Sequence, residues 1–139
     1  MGYSRCKTAF VVAAEYALRG EMGTRPADVD AFRQSLPEQW RSLVIGPVKS
    51  LTNGYSMFAF LWDGSKEGWG TAEEGAAYRK QFLDLFSFAY EDGSSPYEVL
   101  SADFRWGGDE PGAGYGPELE VTSNAHCVLH PHGYQEVPE

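Results

Sequence analysis

The densest group of metal-competent side chains is His126-Cys127-x-x-His130-x-His132, which holds all three histidines and one of the two cysteines within seven residues. On an extended backbone His130 and His132 share a face, and two neutral imidazoles so placed can ligate a Zn²⁺-type ion. His126 shares that face but lies about 13 Å from His130 at strand rise, so it joins only where the chain bends, which Pro131 permits. Asp103, Asp109 or Glu118 would supply a further ligand if the fold delivers one. The spacing has no CxxC or HExxH partner, so solvated histidines on a C-terminal strand and tail are the plainer reading.

A second group is the loop DGSKEGWG, residues 63–70. Its glycines let a backbone approach something closely, Lys66 and Glu67 offer charge, and Trp69 offers a stacking surface. It leads into a helix N-terminus, where an anion can be held. It lacks the GxxxxGK[ST] spacing of a phosphate loop, and the simpler reading folds Trp69 into the core. No nucleophile–base arrangement is evident: Ser65 sits in no G-x-S-x-G elbow and no histidine is near Cys6 in sequence. The carboxylates of the C-terminal half give no reason to single out a catalytic pair. Trp62, Trp69, Trp106 and Tyr115 are candidates for a stacking face, with core packing the default for at least half of them.

These residues need elements to hold them. Cys6, Phe10, Ala13, Ala14, Ala17 and Leu18 recur at helical spacing, which predicts an amphipathic helix over about 4–19, with Ser4 as N-cap and Gly20 as terminator. Pro26 opens a second helix with Val29, Phe32 and Leu36 on one face. Ser35 and Glu38 have capping-box spacing around Pro37, predicting a short third helix with Trp40, Leu43 and Val44 that Gly46-Pro47 ends. VKSLT, Asn53-Gly54 and YSMFAFLW read as a hairpin with a two-residue turn. Its second strand is apolar on both faces, as a strand covered on both sides would be.

Thr71 and Glu74 make another capping box, opening a long helix over about 72–90 with a stripe of Tyr78, Phe82, Leu85, Phe86 and Ala89. Ser95-Pro96-x-Glu98 predicts one more helical turn before a strand near 99–106. The segment 107–117 holds five glycines and reads as a loop, ELEVTS alternates as a strand, and AHCVLH continues or re-enters the sheet. The expected fold is α+β in one domain. Residues 1–46 form a helical part, 47–130 a β-β-α-β-β unit, and 131–139 an irregular tail. The sheet is antiparallel or mixed, of about four strands, with one long helix packed on it.

At 139 residues, with 42% hydrophobic and 22% charged side chains, the chain suits one globular domain and not a disordered one. The net charge of −9 is uneven: +2 over residues 1–50 and −11 over 51–139. Such a surface repels phosphate backbones, which argues against ordinary nucleic-acid binding, and it suits contact with a basic protein surface. Cys6 and Cys127 form no disulfide framework and are expected as reduced thiols. Glu15 and Arg19 interrupt the apolar N-terminal run where a signal peptide would have its core, and no stretch approaches the roughly 20 apolar residues of a membrane span. A cytoplasmic setting is expected.

The block DGSKEGWGTAEEGAAYRKQF with the following YEDGSSPYEVL resembles small actinobacterial and actinobacteriophage proteins, which carry DGSKEGW and DGSSP turns around a single helix. The resemblance covers about residues 53–108. It brings no assigned activity, and it implies a compact accessory protein, often phage-encoded, acting in a bacterial cell or a virion. The reading is a non-enzymatic, cofactor-free protein that binds a host or phage protein through Lys66, Glu67 and Trp69 and through Asp109, Glu110 and Tyr115. The alternatives are a metal-binding module or small metal-dependent hydrolase built on His126, His130 and His132, and a virion structural component.

Overall fold

A computed structural model describes residues 4–18, 23–106, 118–124, 127–130 and 133–136. It is α+β, with a sheet of seven antiparallel strands instead of four, ordered β2-β3-β1-β4-β5-β6-β7. The first element corrects the N-terminal helix: Ser4–Ala14 is a strand, β1, followed by one 3-10 turn at Glu15–Leu18. Ala9, Val11 and Ala13 are buried at alternate positions, while Phe10 and Val12 on the other side are apolar too. A strand apolar on both faces conceals its period of two, and Ala13, Ala14 and Ala17 fill helical spacing by coincidence. Thr8, Val11 and Val12 are β-branched and favour the extended form.

The expected second helix is α1, Pro26–Ser35, with Pro26 in its first turn and Val29 and Phe32 buried. The Asp28 carboxylate accepts a 2.8 Å hydrogen bond from the Arg25 backbone N–H at its start. The third helix shrinks to a single turn, α2, Glu38–Arg41. Ser35 Oγ donates back to the Phe32 carbonyl at 2.6 Å and so caps nothing ahead of it. Val44 and Gly46-Pro47, placed in and after that helix by the sequence, belong to β2, Val44–Lys49. β2 is an edge strand with a register shift between Ile45 and Val48, where a proline without an N–H is tolerated. Arg33 covers the edge, donating to the Val44 and Gly46 carbonyls at 3.3 and 2.8 Å.

β3, Tyr55–Phe60, pairs with β2 as the hairpin requires. Asn53 and Gly54 hold the expected positive φ, 69° and 65°. The turn is wider than two residues: β2 stops at Lys49, and the Ser50 N–H donates to the Tyr55 carbonyl at 2.9 Å. β3 is not covered on both faces, since Ser56, Phe58 and Phe60 are buried while Tyr55 is exposed.

The long helix is α3, Gly70–Asp84, ending earlier than 90. Its capping box does not form. Thr71 Oγ1 meets Ser65 Oγ at 2.5 Å and Glu74 Oε2 accepts from the Tyr78 hydroxyl at 2.9 Å, so both side chains are engaged elsewhere. Ser95-Pro96 leads without a helical turn into β4, Tyr97–Trp106. β5 is Glu118–Ser123 and β6 is Cys127–His130. Gly133–Glu136 forms β7 against β6, where the sequence predicts an irregular tail.

The helices pack on one face of the sheet. Registers Ala9↔Phe60, Val11↔Phe58 and Ala13↔Ser56 on one side of β1, and Val11↔Val99 and Ala13↔Tyr97 on the other, define that face. Phe32 of α1, Trp40 of α2 and Phe82 of α3 each stack on Phe60 or its neighbours, with ring centroids 5.9–6.5 Å apart, and Phe86 continues the cluster to Phe58 and Tyr97. Edge-to-face aromatic packing of this kind adds to simple burial.

Candidate functional site

The loop 61–69 and helix α3 together form one wall of a cleft on the helix-bearing side of the sheet. Asp63 fixes the loop, its carboxylate accepting from the Ser65 hydroxyl and, at 3.4 Å, from the Ser65 N–H. Ser65 is 3% exposed and passes the link on to Thr71 at the start of α3. Lys66 bridges to Ser4 of β1, and the Trp69 N–H donates to the Lys66 carbonyl at 3.1 Å. Gly68, at φ 89°, makes the intervening turn in a conformation that side-chain-bearing residues rarely adopt.

Glu67 has a structural use. Arg5 and Arg105 lie directly opposite each other across β1 and β4, an unfavourable pairing of like charge. Asp103 accepts from Arg5 Nε at 3.0 Å and Nη2 at 2.7 Å. Glu67 stands 3.6 Å from Arg5 Nη1 and 3.1 Å from Arg105 Nε. The Arg105–Glu67 pair is close but misaligned for a hydrogen bond, so its attraction is largely that of charge. The Asp103 hydrogen bonds, opposed by burial and reinforced by the charges of Asp103, Glu67 and Glu120, raise the Arg5 pKa above its ordinary value.

Trp69 is 52% exposed, so its side chain is not part of the core. Trp106 is buried and meets Trp62 edge-on at 5.5 Å, while Trp62 Nε1 donates to the Ser65 carbonyl at 3.0 Å. Those two tryptophans hold the loop against the sheet end. Asp109, Glu110, Tyr115, His126 and His132 lie outside the described residues, and His130 is described as a strand position paired with Gly133. Among the described residues no group of three His, Cys, Asp or Glu could hold a metal ion. Cys6 carries a free thiol.

The residue without a forecast role is Arg79. It sits on the buried face of α3, in line with Gly75 and Phe82, and is 7% exposed. Its Nη1 has no hydrogen-bond partner, and Arg79 makes no hydrogen bond or ion pair among the described residues. Gly75 makes room for it: a Cβ there would lie 3.2 Å from Arg79 Nη1 and 3.0 Å from the Trp40 ring. Burial lowers the Arg79 pKa from its ordinary value, partly offset by the negative charge of Asp63 and, more weakly, of Asp103. The sequence signal was a cation at stripe spacing, three residues before Phe82, where an apolar side chain belongs.

The opposite face of the sheet is different in kind. Phe10 and Val12 of β1, Met57 of β3, Leu100 and Phe104 of β4 and Val121 of β5 point there by register, and all are only partly buried. Ile45 and Tyr55, 38% and 44% exposed, extend the same apolar surface toward the β2 edge. No helix of the described residues is long and apolar enough to cross a membrane. Comparison with known proteins finds no match: no family model, no curated protein and no solved structure is similar to this chain.

Proposed function

We propose that this chain is a small non-catalytic accessory protein that works by binding a second protein, of a bacterial host or of a phage. The observation that carries this reading is the partly open apolar face formed by Phe10, Met57, Leu100, Phe104 and their neighbours, on which no helix of the described residues packs. A contiguous apolar surface left partly open on a folded protein marks a contact site for a partner. The face is built on central strands, so it is rigid, and rigid apolar surfaces lose little entropy on association. The net charge of −9 favours a partner whose rim around the contact is basic. Trp69, exposed at the loop, is a further anchor of the type that dominates interface energetics.

Affinity capture from a bacterial lysate tests this, using the wild-type protein beside Met57→Glu. A charge at a partly buried, solvent-reachable position leaves the fold standing but disfavours an apolar contact. The expected result is a specific partner retained by the wild type at moderate salt and lost by Met57→Glu, with both proteins melting within a few degrees of each other. Equal retention by the two proteins, or no specific partner for either, contradicts the reading.

A further inference from the structure

The cleft between α3 and the sheet has a chemistry that the protein-binding face does not share. Strand register lays two rows of side chains along its floor: Lys7–Asp103–Glu120 and, one step on, Ala9–Ser101–Thr122. Ala76, Arg79, Lys80 and Leu83 of α3 roof it. The cleft has a volume of about 400 Å³ and runs on, past Arg79 and Ala76, into a smaller chamber of about 140 Å³ beside Trp62, Glu67 and Ala72.

The charges along it are unequally satisfied. Asp103 is taken by Arg5, Glu67 lies against Arg5 and Arg105, and Asp84 is 3.7 Å from Lys80. Arg79 and Lys7 have no such partner among the described residues, and Arg79 is more than nine-tenths buried. The buried Nη1 of Arg79, without an acceptor, is costly to the fold, because its hydrogens have given up water and received nothing in return. Natural structures keep few such groups, and each asks for a counterpart.

We propose that this cleft binds a small monocarboxylic acid, its carboxylate held by Arg79 and Lys7 and its short carbon chain lying against Ala76 and Leu83. A guanidinium offers two parallel N–H donors that match the two oxygens of a carboxylate. Ser101 and Thr122 offer hydroxyls on the floor of the same cleft. A monoanion is favoured over phosphate or a dicarboxylate because Asp103, Glu120 and Asp84 also line the cleft and repel each added negative charge. The site is on the helix side of the sheet, so it stands or falls independently of the protein-binding face.

Titration of isotopically labelled protein with propionate, followed by amide and arginine side-chain NMR, tests the proposal. Saturable shifts are expected at Arg79, Lys7, Ala76 and Ser101, with a dissociation constant on the order of 1 mM for so few ligand atoms. Propionamide, the neutral counterpart, should leave those signals in place. Arg79→Met should weaken propionate binding by about tenfold or more. The same variant should melt no lower than the wild type, since it removes an unpaired buried charge. If Arg79→Met does not fold, Arg79→Lys carries the test: it keeps the charge, loses the fork and should still bind more weakly than wild type. Absence of saturable shifts, an equal response to propionamide, tighter binding of inorganic phosphate, or unchanged affinity in both Arg79 variants would overturn the proposal.

Discussion

The two faces of the central sheet are built from the same three strands and similar residue types, yet only one is a core. On the helix-bearing face Val11, Phe58 and Phe60 are at most 1% exposed and are enclosed by Phe32, Trp40 and Phe82 from three helices. On the other face Phe10, Met57 and Phe104 alternate with them along the same strands but remain partly open. The difference lies in what the helices cover and not in the hydrophobicity of the strands. It teaches that apolar content on both sides of a strand signals either burial or a surface waiting for a partner, and only the placement of the helices separates the two.

Substitutions should expose that difference in order of size. Phe82→Ala removes a fully buried ring touching Phe32, Phe60 and Phe86, and should destabilise the protein by about 3–5 kcal/mol in urea unfolding, cavity term included. Phe10→Ala, on the open face, loses transfer energy but opens no closed cavity, so a cost of about 1–2 kcal/mol is expected. A loss for Phe10→Ala as large as that for Phe82→Ala would mean the second face is a core as well. Trp69→Ala should shift stability by less than about 1 kcal/mol, because the ring is 52% exposed. Asp103→Asn should cost about as little, since the Arg5 pair is part-exposed and screened, and the difference from wild type should shrink further in high salt.

Much of the scaffold was legible from local chemistry. Pro26 and the 29/32/36 spacing located α1, Asn53-Gly54 located the hairpin bend, Tyr78 and Phe82 located α3 although the expected stripe ran past its end at Asp84, and ELEVTS located β5. The N-terminal strand was not legible, because its two apolar faces and its alanines fit a helical period as well as an extended one. The capping boxes at Ser35 and Thr71 failed for a related reason. The spacing was present, but each hydroxyl found a nearer partner once the chain had folded.

The site was legible only in part. The loop 63–69 does line the cleft, but Glu67 is drawn in by two arginines that meet only when β1 pairs with β4. Arg5 and Asp103 are 98 residues apart in sequence, and no local pattern could have joined them. Arg79 was hidden in a helix stripe whose apolar members drew attention away from the one cation among them. Burial without a partner is a property of the folded chain, and the sequence shows only that a charge stands where a hydrophobe would fit.

Hydroxyl-radical footprinting of the protein free and bound to its captured partner tests the central claim most directly, because Met57 and Trp69 are both readily oxidised and mark the open face and the loop separately. The account predicts that Met57 oxidation slows markedly in the complex. Protection of Trp69 with Met57 still oxidised at the free rate would contradict it, moving the interface from the open face of the sheet to the loop.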